Sequence, residues 1–130
     1  MRLRDLMSLL EAKGFTSNID YDKKIEYVFS CDLMSDVLMI TREASVEKEN
    51  IILTTGLATN QSVRTAEMLD VEIICLVRGK KPSQKMLEVA EESNIMVIGT
   101  DLSTFKSNGL LFKEGLSGVE GYISPLQNNK

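Results

Sequence analysis

The 130-residue sequence predicts an α/β fold, a three-layer sandwich with a mainly parallel sheet. Three observations predict it. Short apolar runs at residues 25–29, 51–54, 71–77 and 95–98 are apolar on both faces, the pattern of strands covered on both sides. Segments with helical apolar spacing separate or flank these runs, so each strand feeds a crossover helix. Hydrophobic residues make up 43% and charged residues 26%, enough apolar material for one core in a chain of this length. The expected organisation is a single domain over residues 1–116, followed by a C-terminal edge segment and frayed tail over 117–130.

Leu3, Leu6, Met7, Leu9 and Leu10 recur at helical spacing, and Gly14 is the expected stop. Residues 15–24 are polar and irregular before the 25–29 strand. Asp32 can cap a short helix carrying Leu33, Val37 and Ile40. Gly56 ends the 51–54 strand, and Val63, Ala66, Met68 and Leu69 line the next helix. After the 71–77 strand, Pro82 and Ser83 open a helix holding Met86, Leu87, Val89 and Ala90, with Asn94 as a left-handed cap. Ser103 and Thr104 begin a last helix with Leu110 and Leu111, ending near Gly115, and residues 119–123 read as an edge strand.

The composition excludes several function classes. The chain contains His 0, which removes Ser–His and Cys–His nucleophile pairs and histidine metal ligands. Fifteen basic residues stand against 19 acidic ones, a net charge of -4, so no nucleic-acid or membrane-surface partner is expected. No P-loop pattern occurs, and Cys31 and Cys75 form no CxxC pair, so neither a cofactor nor a metal is expected. The first residues lack the uninterrupted apolar stretch of a secretory signal, so the expected compartment is the reducing cytoplasm.

Ligands of open α/β sheets collect at the carboxyl ends of the strands, where helix N-termini present amides. Four turns fall there: Ser30-Cys31-Asp32, Thr54-Thr55-Gly56, Arg78-Gly79-Lys80-Lys81 and Gly99-Thr100-Asp101. Asp32, Ser35, Thr54, Thr55, Gly56, Arg78 and Gly79 are the candidate ligand-binding residues, with Arg78 contacting a phosphate and the glycine amides cradling it. Asp32, Ser35, Ser83 and Ser103 equally suit helix capping. Asp32 and Asp36 share a helix face, a pairing that an N-terminal turn favours without any chemistry. No catalytic set emerges, so no enzyme activity is expected.

Residues 30–38, Ser-Cys-Asp-Leu-Met-Ser-Asp-Val-Leu, resemble the SDLLSDV signature of stand-alone DRTGG-domain proteins. The 51–55 strand, the 71–78 strand ending in Arg-Gly, the Glu88-Val89-Ala90-Glu91-Glu92 helix, the 96–100 strand and the Phe105 helix follow in matching order. Leu33 and Thr54-Thr55-Gly56 stand where the arginine and paired glycines of the family name are expected, and Cys31 replaces a small or hydroxyl residue. The resemblance implies a fold like the N-terminal domain of HPr kinase/phosphorylase. It also implies a non-catalytic regulatory module, often dimeric, that senses a nucleotide or metabolite.

The expected function is a cytoplasmic regulatory module that binds a small anionic ligand, a nucleotide foremost. It would act through a homodimer or a partner protein in a redox or signalling pathway. The alternative is an adaptor subunit that binds protein alone.

Overall fold

A computed structural model describes residues 1–31 and 49–119. In chain order these form α1 (Leu3–Leu10), β1 (Lys13–Gly14), β2 (Tyr27–Ser30), β3 (Ile51–Thr55), α2 (Asn60–Met68), β4 (Ile73–Leu76), α3 (Gln84–Glu92), β5 (Met96–Gly99), α4 (Thr104–Lys113) and β6 (Ser117–Gly118). The capped helix expected from Asp32, the paired Asp32 and Asp36, Ser35, and residues 120–130 lie outside the described residues.

The six strands lie in the order β1-β5-β4-β3-β2-β6. Every neighbouring pair is parallel except β1 with β5. Strand alternation divides the core into two apolar layers. Leu53, Ile74, Leu76 and Val97 face α2 and α3, packing with Val63, Ala66, Met86 and Val89. Ile52, Ile73, Cys75 and Ile98 face α1 and α4, packing with Leu3, Leu6, Leu10 and Leu111. This is the three-layer sandwich the sequence predicts. Each fully buried aliphatic chain contributes roughly 1.5–3 kcal/mol, so both layers are needed to offset the entropy of ordering the chain.

The helix ends follow side-chain chemistry. Ser83 accepts from the Met86 amide at 3.1 Å, and Ser103 accepts from the Lys106 amide at 3.1 Å. Asn94 takes a left-handed φ of 55° after α3. The first helix departs from expectation: it ends at Glu11, itself left-handed at φ 52°, rather than at Gly14. Gly14 instead pairs with Ile98 in the antiparallel edge, and no sequence period marks a two-residue strand. The C-terminal edge strand also begins earlier than expected, at Ser117, next to β2. Met68, expected on an apolar helix face, is 69% exposed because α2 turns it away from the sheet.

Candidate functional site

Strands β2 to β5 run parallel, so their carboxyl ends form one rim. The pleat sends adjacent threonines of β3 to opposite sides of that rim. Both are buried, Thr54 at 0% exposure and Thr55 at 1%. Thr54 turns toward α4, where its hydroxyl contacts the Ser30 hydroxyl and lies 3.2 Å from Asn108 Oδ1. Ser30 lies 2.9 Å from the same oxygen. Thr55 turns the other way and accepts from the Leu57 amide at 3.1 Å, closing the turn that leads into α2. The two hydroxyls therefore do local structural work, and the backbone after them forms the rim itself.

At the middle of the rim, Arg78 and Gly79 are both left-handed, with φ of 61° and 68°. Lys80 donates from its amide to the Val77 carbonyl at 3.3 Å, giving the signs and closure of a type I′ turn. The turn is pinned to the next strand end: the Arg78 amide donates to Leu102 O at 2.8 Å and the Gly79 amide to Thr100 O at 3.0 Å. Glycine and asparagine are the ordinary occupants of that backbone region, and an arginine there costs roughly 1–2 kcal/mol. The turn aims the exposed Arg78 side chain across β3. A Cβ on Gly56 would collide with Arg78 Nη2 and lie 3.0 Å from Cζ, so the guanidinium rests directly on the Gly56 backbone. Gly56, Thr55 and Arg78 thus meet, beside the start of α2, whose N-cap Thr59 makes no side-chain capping bond.

Beyond Gly79 the rim opens into a small cleft of about 110 Å³. Lys13, Lys80 and Lys81 supply its positive charge, Glu11 and Asp101 its negative charge. Among the described residues none of these five forms an ion pair. Lys13 Nζ sits 5.5 Å from the Phe15 ring centroid, and Phe15 covers Gly99 so closely that no side chain fits there. Thr100 is structural, donating to the Leu10 carbonyl at 2.6 Å and tying α1 to β5.

A larger hollow of about 300 Å³ lies at the opposite, amino end of the strands, near Lys24, Glu26 and Tyr27. Two of its charged groups are already paired: Glu26 lies 3.0 Å from Lys24 and accepts from Asn50 at 3.0 Å. The Asn50 bond, then Lys24, holds the Glu26 carboxyl below the usual carboxylate range. Size favours that hollow, whereas helix N-termini and the five cleft charges without an ion pair among the described residues favour the rim.

Of the candidate residues, Thr55, Gly56, Arg78 and Gly79 lie together along the rim, while Thr54 points its side chain beneath it. Sequence reasoning missed Asn108 and the Lys13–Phe15 edge. A polar residue inside a helix is the signal that could have found Asn108. Nothing in the sequence marks Lys13, because only the antiparallel pairing of β1 brings it to the carboxyl end. Among the described residues no group of three or more His, Cys, Asp or Glu could hold a metal. No helix among them is long and apolar enough to cross a membrane.

No family model and no curated protein matches the chain. Its structure is similar to the CBS and DRTGG domains of the regulatory region of Clostridium perfringens pyrophosphatase, solved with the activator diadenosine tetraphosphate. The TM-score is 0.65 at 20% identity, over 85% of this chain and 45% of that one. The chain therefore spans less than half the length of its structural neighbour, and it shares its fold with part of a regulatory region.

Proposed function

We propose that the chain is a DRTGG-like regulatory module that binds a small anionic ligand, foremost a nucleotide, and carries out no chemistry on it. The observation that carries this reading is the Arg78 guanidinium laid on Gly56 by a left-handed turn at the carboxyl end of a parallel sheet. A strained non-glycine backbone held by surrounding hydrogen bonds is a feature that function commonly retains. A phosphate there would meet a fork of guanidinium donors and the first amides of α2, and the neighbouring lysines would offset further negative charge. The pyrophosphatase region of similar fold was solved with a nucleotide activator, which supports a nucleotide over other anions. Asp32 and Ser35, in the segment after Cys31, complete the proposed ligand set.

In this reading the module signals by self-association or by docking a partner, and it works in the cytoplasm, where the thiols of Cys31 and Cys75 stay reduced. The protein-only adaptor is the competing reading, and the exposed Phe105 and Phe112 favour it. A thermal-shift screen with adenine, guanine and uridine nucleotides separates them. Ligand at ~100 times Kd adds roughly 2.7 kcal/mol of stability, a readily measured shift. A flat screen at millimolar concentration in the wild type rejects the ligand-binding reading.

A further inference from the structure

The outer face of α4 carries two phenylalanines one heptad apart, Phe105 at 89% exposure and Phe112 at 78%. Such rings on a surface mark an interface. Between them sits Gly109, and a Cβ added there would meet nothing within 4 Å among the described residues. Glycine weakens a helix interior, and no neighbour among the described residues requires it here. Its missing side chain leaves room for a second helix to approach the α4 backbone closely.

At about 100° per residue, Phe105 and Phe112 fall on one side of Gly109, and Lys106 and Lys113 fall on the other. The exposed face is thus two stripes, one aromatic and one cationic, with the glycine on the dividing line. A two-fold axis running along the helix sets each stripe against the opposite stripe of a second copy. Phe105 then meets Lys106 of the second copy, and Phe112 meets its Lys113, four ammonium-on-ring contacts in all. The antiparallel arrangement would instead stack lysine on lysine, which like-charge repulsion disfavours.

We propose that two copies of this chain associate through α4, with the helices parallel and crossing at Gly109. Four phenyl rings at roughly 150 Å² each supply about half the ~1,200 Å² of a stable interface, and lysine stems add to it. The other side of the same helix carries Asn108, which touches Ser30 and Thr54 at the carboxyl ends of β2 and β3. Pairing through α4 therefore gives the ligand rim a direct route to the oligomeric state. This inference supplies the self-association part of the function proposed above, and its residues are separate from those of the rim.

Sedimentation velocity on the full chain, from about 1 to 500 μM, tests it against the dissociation constants expected of such an interface. The wild type should pass from monomer to dimer. Gly109→Gln, whose added Cβ meets none of the described residues, should raise the dimer dissociation constant at least about tenfold while keeping a cooperative thermal transition. Phe105→Ala with Phe112→Ala should do the same. Lys106→Glu should also weaken the dimer; tightening would reveal lysine facing lysine and overturn the parallel pairing. A wild type that stays monomeric, or a dimer indifferent to Gly109→Gln, overturns the proposal. Nucleotide thermal shifts measured on the same samples report the rim independently, so either reading can fail alone.

Discussion

The guanidinium of Arg78 occupies the space a side chain on residue 56 would need. The two positions are coupled although 22 residues of sequence separate them, and the coupling predicts a specific behaviour. Gly56 has an ordinary backbone, so Gly56→Ala should fold, with stability within about 1 kcal/mol of wild type. The new methyl group would push the guanidinium off β3. Nucleotide affinity measured by calorimetry should fall at least about tenfold, as it should for Arg78→Ala, and the double variant should add little to either. Full additivity of the two losses would show that Arg78 and Gly56 act separately.

Arg78 also carries a conformational cost that its replacement would relieve. Its φ of 61° is one that glycine adopts freely. Arg78→Gly should raise the free energy of unfolding by up to about 1 kcal/mol in urea denaturation, less than the full strain because glycine also frees the unfolded chain. Ligand binding should be lost in the same variant. Stability gained with binding lost is the signature of strain retained for function.

The parallel sheet was legible because its strands are apolar on both faces; the caps Ser83 and Ser103 were legible because their side chains act within three residues, and Asn94 because asparagine tolerates a left-handed backbone. The site was legible only where it follows from chain order. Thr55, Gly56, Arg78 and Gly79 end consecutive parallel strands, so any right reading of the sheet puts them on one rim. Lys13 reaches that rim through an antiparallel pairing 86 residues away in sequence from its partner Gly99, a distance no local pattern spans. The opposite fates of Thr54 and Thr55 follow from the pleat, but which side is which depends on where α4 lies.

Lys80 and Lys81 lie on the exposed side of the cleft, and neither forms an ion pair among the described residues. Their charges are screened by salt over roughly 8–10 Å at physiological ionic strength. Lys80→Ala with Lys81→Ala should leave the unfolding free energy within about 0.5 kcal/mol of wild type. It should also weaken nucleotide binding and flatten its dependence on salt. An affinity that keeps the wild-type salt slope would place the ligand's charge elsewhere.

Ser107 faces inward from α4, fully buried, and its hydroxyl has no hydrogen-bond partner among the described residues. Burying an unsatisfied hydroxyl costs roughly 1–3 kcal/mol. Ser107→Ala removes that cost, keeps the space nearly filled and improves helix propensity. Urea denaturation should show a gain of about 1 kcal/mol with an unchanged slope. A loss of stability would mean that the hydroxyl has a partner outside the described residues.

Cys75 lies in the middle of β4 with 0% exposure, and desolvation pushes its thiol up to about 12 from 9.0. The folded protein therefore holds the thiol proton in a range where the unfolded chain releases it. Below pH 9 both states keep the proton and the group has no effect on stability's pH dependence. Between pH 9 and about 12 the unfolded state binds fewer protons, so stability falls as pH rises. Cys75→Ala cannot ionise at that position, so its stability should fall less steeply than wild type across the same window, although its absolute value is lower by about 1–2 kcal/mol from the lost packing. Parallel alkaline limbs in the two proteins would show that the thiol is not held protonated by burial.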